Sequence, residues 1–258
     1  MLKSRWACSG LVVVAAAFWL AGCGDKSEPE PEPVTVEQVT IEFPRDTSDM
    51  PLSWRMDEET EIVAPLPRQQ TGAAAKILTA AIARYPDEFL HEHLTNVFVY
   101  SDMYFGGQES TAGVSAGPSS VHLSYNQPEP YRLEFMFHWL VAELLYYKHP
   151  ELVEQVAFDY PMTVPEKELA DVWVERDVTF LKRGYLFSLG ARSLEEDFGT
   201  IAAALMAGSR SALQDAKDYK LIGEKMAKVK KFFLLLDERF TEDFFRQQSE
   251  GERGHRGY

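Results

Sequence analysis

The chain has 258 residues, 45% of them hydrophobic, with 26 basic against 40 acidic side chains and a formal net charge of −14 at pH 7. An acidic balance of that size excludes nucleic acid and anionic lipid headgroups as expected partners, because the surface repels both. The two cysteines, Cys8 and Cys23, both lie near the start, so beyond them a hydrophobic core, and no disulfide, has to carry the fold.

Lys3 and Arg5 precede an apolar run from Leu11 to Leu20, which ends in Leu20-Ala21-Gly22-Cys23. The run is about half the length that a membrane-crossing helix needs. Small residues before a cysteine let the thiol be acylated and the signal be cut just ahead of it. Residues 1–23 therefore read as a lipoprotein signal with Cys23 as the lipidation site, and the membrane as a partner through that lipid. Each buried CH₂ of the acyl chains adds about 0.8 kcal/mol of membrane affinity. The expected address is the bacterial cell envelope after export, at the outer membrane or the periplasmic face. Residues 24–34, with Glu28-Pro29-Glu30-Pro31-Glu32-Pro33, read as a tether. Alternating Pro and Glu extends it to about 3 Å per residue.

Val39, Ile41 and Phe43 alternate with polar residues and predict one strand in a lead-in over 35–71. The rest of that lead-in, 44–70, is rich in Pro and acidic residues and reads as irregular. A helix is predicted over 72–84, closed before Pro86, then a strand over 95–100, a Gly-, Ser- and Thr-rich loop over 102–119, and a strand over 121–125. A helix over 131–148 follows, closed by Pro150. Later helices are predicted over 165–181, 194–207 and 216–237. Ser193 stands as N-cap of the second of these, with Glu195, Glu196 and Asp197 at the positive end of its dipole. In the last, Ile222, Met226, Val229, Phe233 and Leu236 form an apolar stripe, with Lys220, Lys225, Lys228 and Lys231 elsewhere on the helix. Helices around a small central sheet define an α+β domain, placed at 72–247, with a disordered tail at 248–258.

The 131–148 helix is apolar nearly all round, so it belongs at the centre of its domain. Its polar exceptions are Glu134, His138 and Glu143. Glu134 and His138 are four apart and share a face. A lone histidine in such a place is more often a satisfied core residue than a metal ligand. His91 and His93 stand two apart, on different faces of a solvated helix end. No Ser or Cys nucleophile motif, phosphate-binding loop or dinucleotide fingerprint is present.

Several segments occur in a telling order. Tyr85-Pro86-Asp87-Glu88-Phe89-Leu90 is followed by Val97-Phe98-Val99, then Thr111-Ala112-Gly113, a strand and the long buried helix. Arg183-Gly184-Tyr185 and Ala191-Arg192-Ser193-Leu194-Glu195-Glu196-Asp197-Phe198 come next, and then Lys225 and Val229-Lys230-Lys231-Phe232-Phe233. Over roughly 72–240 this resembles the zinc-binding metallopeptidases that occur as bacterial surface lipoproteins, some of them associated with nutrient import. The resemblance implies a zincin-like fold with a His-Glu-x-x-His signature on the buried helix. Two histidines four apart hold one zinc, and the Glu beside the first activates the metal-bound water.

This chain departs from that signature where it matters. With His138 as the first ligand, Trp139 replaces the base and Ala142 the second ligand, so both positions are lost. A register shifted by four keeps Glu143 as the base candidate and loses both histidines. Spacing to Pro150 favours the first register. A catalytic zinc takes three protein ligands and an open position. In the first register only His138 and one of Glu196 or Asp197 remain, as vestigial candidates. No catalytic residue and no cofactor are therefore expected. The leading expectation is a lipid-anchored envelope protein that has lost its metal site and binds a peptide, a glycan or an envelope protein. The alternatives are an active zinc metallohydrolase with non-standard ligands, for which zinc would be the cofactor, and a structural helical lipoprotein.

Overall fold

The computed structural model describes residues 31–46, 48, 50, 61–105, 108–110, 112–115, 119–125, 130–161, 164 and 176–250. The signal over 1–23, most of the tether and residues 251–258 lie outside them. Strand β1 (Val34–Val36) turns back on β2 (Val39–Glu42) through Glu37 and Gln38, which take φ of 46° and 68°. Two positive φ values in a two-residue loop match the twist of the paired strands. β2 runs parallel to β4 (Asn96–Tyr100), which runs parallel to β8 (Ser120–Ser124), and β7 (Ala112–Ser115) closes the edge antiparallel to β8. The sheet order is β1-β2-β4-β8-β7, and a second sheet joins β3 (Glu61–Ala64), β5 (Asp102–Phe105) and β6 (Gln108–Ser110) in the order β3-β5-β6.

Helices α1 (Arg68–Ile82) and α2 (Phe89–His93) lie between β2 and β4 in sequence, which supplies the length a parallel crossover requires. After β8 come α3 (Pro130–Lys148), α4 (Pro150–Val156), α5 (Val178–Lys182), a 3₁₀ turn (Ser188–Ala191), α6 (Leu194–Met206), α7 (Arg210–Asp218), α8 (Lys220–Leu236) and α9 (Glu242–Glu250). Alternation along the central strands splits the sheet into two faces. Val97, Val99, Val121 and Leu123 enter the main core with α3, whereas Phe98 and Tyr100 join Met50 and Met103 in a smaller cluster. On that second face His122 stacks on Phe98 and places its two ring nitrogens 3.1 Å from the hydroxyls of Tyr100 and Ser120. α3 is central and packs most extensively on α6, which is buried without interruption from Asp197 to Met206.

The architecture is α+β and mainly helical, as composition and periodicity imply. Several boundaries differ, each for a physical reason. The lead-in belongs to the main sheet: β2 pairs with β4, and β3 adds a strand within the stretch expected to be irregular. α1 starts at Arg68, four residues before the expected 72, because Pro67 has a fixed φ suited to the position ahead of a helix. The expected loop over 102–119 contains β5, β6 and β7, short strands of three or four residues that pair through their backbones, with a run of small residues only in β7. Pro150 does end α3, but it also opens α4, where its missing N–H costs nothing at a first-turn position. The helix expected over 165–181 is broken, since Asp177 is extended and caps α5 by accepting from the Thr179 amide; 165–175 lie outside the described residues. The helix expected over 216–237 divides at Tyr219, which is extended between α7 and α8. α9 continues to Glu250, into the stretch expected to be a tail.

Candidate functional site

The seam between α3 and α6 holds most of the residues that the sequence singles out. Gly199 on α6 makes the close approach possible. A Cβ there would stand 2.3 Å from Trp139 Cδ1, 2.7 Å from its Nε1 and 3.3 Å from Glu143 Cγ. Trp139 and Glu143 are one turn apart and so face α6 together. Tyr146, a further three residues along, meets Phe198 edge to face at 5.3 Å. Ala142 is fully buried in the same core. At the start of α6, Ser193 accepts from the Glu196 amide at 3.2 Å, so it is the N-cap that the sequence indicates, with the three acids in the first turn.

These acids are short of cations. Burial pushes the Glu143 carboxyl up to about 8, Glu196 and Glu195 add to the rise, and the Trp139 indole and Arg192 oppose it. Glu196 is pushed up to about 7, chiefly by burial, with Arg192 opposing and Glu195 adding. Arg192 approaches Glu196 only to 3.7 Å, and its side chain is 51% exposed, so solvent weakens the pair. Tyr147 rims the seam: its hydroxyl donates to Glu195 Oε1 at 3.5 Å, and burial with Glu195 pushes its phenol up to about 12.

His138 belongs to a different set of contacts. It is fully buried, with Nδ1 3.1 Å from the Tyr85 hydroxyl and Nε2 3.9 Å from Glu134 Oε1. Glu134 therefore lies at ion-pair rather than hydrogen-bond range of His138, and its firm partner is Arg84, with Nε at 2.6 Å. Burial holds the His138 pKa down, against the pull of Glu134, so the ring is neutral. Arg84 also donates to the Met206 carbonyl at 3.2 Å and to Gln248 Oε1 at 3.3 Å, and Gln248 Nε2 returns a bond to the Arg84 carbonyl at 3.0 Å. This network connects the chain just past α1 to α3, α6 and α9.

Asp197 is engaged elsewhere again. Its Oδ2 lies 2.6 Å from Lys225 Nζ, and both side chains are buried. Lys225 also donates to the Gly184 carbonyl at 2.9 Å and sits 4.3 Å from the Tyr185 ring centroid and 5.0 Å from that of Tyr160. Burial pushes the Asp197 carboxyl up to about 7, with Lys225 opposing. By sequence pattern Lys225 falls off the apolar stripe of α8, whereas in the fold it is among the largest fully buried side chains. Its aliphatic stem packs like the neighbouring Met226, while the ammonium finds four partners inside.

The structure thus brings Glu143 to Glu196 and leaves His138 with Tyr85 and Asp197 with Lys225. Among the described residues no group of three or more His, Cys, Asp or Glu could hold a metal. In the first register the zinc that the resemblance implies does not fit this donor set: Lys225 pairs with Asp197, an indole fills the place of the base, and His138 is held by Tyr85. His93, expected at a solvated end, is half buried against Phe89 and His149. Arg84, Tyr85, Gly199 and Lys225 have no local signal of their own, because their partners lie far off in sequence. Cys23 lies outside the described residues. Comparison with family models, with curated proteins and with solved structures finds no match for this chain.

Proposed function

We propose that this is a lipid-anchored envelope protein with a zincin-like fold that binds a ligand at the α3–α6 seam instead of hydrolysing one with zinc. The single observation that carries the reading is Glu143. It is a carboxyl buried on the central helix, facing two further acids, with no cation among the described residues closer to them than the exposed Arg192. Acids crowded in this way hold their protons against ionisation, and an incoming cation offsets the cost of their charge and favours their ionised form. Tyr147, 49% exposed beside Glu195, adds an aromatic face for an ammonium or guanidinium. The ligand class is therefore a peptide or protein segment bearing Lys or Arg.

The test is calorimetric titration of residues 24–258 with Lys- and Arg-containing peptides and their acetylated or citrulline counterparts. Basic peptides are expected to bind, and Glu143→Gln and Glu196→Gln to weaken them about 10-fold each, the scale of one charge-assisted contact. Binding indifferent to peptide charge or to both substitutions would sink the reading. Glu143 also keeps the carboxyl of the shifted zinc signature, which supports the metallohydrolase alternative. One chelator-removable zinc per chain, with hydrolysis lost on its removal, would establish that alternative.

A further inference from the structure

Away from the seam, one corner gathers ionisable groups from four elements. His93 ends α2, Lys148 ends α3, His149 joins α3 to α4, and Asp237 follows α8. The two imidazoles stand edge to face with centroids 5.3 Å apart. His149 Nε2 is buried without a hydrogen-bond partner among the described residues, and Nδ1 lies 3.4 Å from Glu151. Lys148 Nζ donates to the His93 carbonyl at 2.9 Å and to the Ser119 hydroxyl. The Ser119 carbonyl accepts from the Thr95 amide at 2.8 Å, so Lys148 ties the end of α3 to the entries of β4 and β8.

We propose that this corner is an acid-operated latch, closed while the His93 ring is neutral and opened when a proton on His93 sets a new cation beside Lys148 and against the His149 ring. The acids that face it cannot offset that charge. Asp237 is held by Arg239 at 2.5 Å, and Arg239 also donates to the Asp87 carbonyl at 2.8 Å. The Glu151 side chain is 66% exposed and screened by solvent, and on α2 itself His91 and Glu92 are exposed. Burial first, then His149 and Lys148, hold the His93 pKa down to about 4, with Asp237 opposing. The unfolded imidazole takes its proton near 6.5. A depressed histidine contributes stability that is present above about 6.5 and is lost as pH falls through about 4. α2 is the element that yields, since it has five residues and is entered through Glu88 at φ 64°. A helix that short holds its shape only through its contacts.

Tyr147 precedes Lys148 on the last turn of α3, so release of this corner would draw Tyr147 from Glu195; that consequence rests on the seam reading above. The latch is tested alone, by hydrogen exchange on the full chain at about pH 7.5 and about pH 5, corrected for intrinsic rates. Amides over 89–96 and 145–153 are expected to lose protection about 10-fold or more in acid, while α6 and α8 hold. His93→Gln with His149→Gln should keep that protection. Should the double variant fail to fold, a ring titration by NMR of the unmodified chain decides, because the His93 imidazole is expected to titrate together with the Thr95 and Ser119 amides. Acid-independent protection, an equal loss in the double variant, or a His93 ring that titrates without an amide response would each overturn the latch.

Discussion

Lys225 and Asp197 show what a single buried charge does in this fold. Replacing the lysine with methionine keeps most of the stem that packs beside Met226 and leaves the Asp197 carboxylate without its cation. Breaking such a pair from one side costs about 3–5 kcal/mol, whereas replacing both partners with apolar groups of similar size is often neutral. Lys225→Met is therefore expected to lower the urea midpoint sharply, and Lys225→Met with Asp197→Leu to recover much of the loss. If the double variant is no more stable than the single one, the pair is not the source of the effect. The sequence carries one half of this residue-level picture. Ser193 and Glu196 announce a capped helix start because a cap is a local event, spaced by three residues. Lys225 gives no such sign, since its partners Asp197, Gly184, Tyr160 and Tyr185 come from distant segments.

At the scale of elements, α3 and α6 define the molecule, and Gly199 sets their separation. Gly199→Ala is expected to cost about 1–3 kcal/mol by overpacking, because the new methyl meets the Trp139 ring and the buried indole has little room to move. Trp139→Leu should partly relieve it, which a double-mutant cycle of melting temperatures would show as a coupling. Additive effects would place the strain elsewhere. α3 itself is readable from its unbroken apolar surface, and α6 from its cap and alanines. Which face of α3 meets α6 is not readable, because a helix apolar all round has no stripe to orient it. That face separates the two registers of the zinc signature. Glu143 faces Glu196 and His138 faces Tyr85, so Ala142→His with Tyr146→His would set two imidazoles four apart around Glu143 and next to Glu196. This variant is expected to gain zinc affinity, seen as a melting temperature that rises with zinc, since a ligand bound only by the folded state stabilises it. Trp139→Glu with Ala142→His should gain less, because its His138 is already committed to Tyr85. The reverse order would favour the first register, which the spacing to Pro150 prefers.

For the whole molecule, the turn between classes of periodicity points to the α+β class, while the short strands within 102–115 and the break at Tyr219 depend on tertiary pairing that no local pattern reports. The distribution of the charge has a consequence for stability. Glu143 and Glu196 are raised from 4.5 to about 8 and about 7. A carboxyl whose folded pKa lies above its unfolded value binds its proton more tightly when folded. Its contribution is full below about 4.5 and is lost as pH rises through about 7 to 8. His93 acts in the opposite sense and removes stability as pH falls from about 6.5 through about 4. Stability is therefore expected to be greatest in weak acid, and to fall on the alkaline side by an amount on the order of 3 kcal/mol, since each tenfold gain in proton affinity is worth about 1.4 kcal/mol and the two neighbouring acids share the effect. Glu143→Gln keeps the shape and hydrogen-bonding capacity of the protonated acid and cannot ionise. Urea midpoints measured from about pH 5 to about pH 9 should decline for the unmodified chain and decline less for Glu143→Gln, in which Glu196 and Asp197 still titrate, so that the two curves converge in acid and separate in base. Parallel curves would mean that Glu143 is ionised throughout, and that the seam holds a cation close enough to satisfy it.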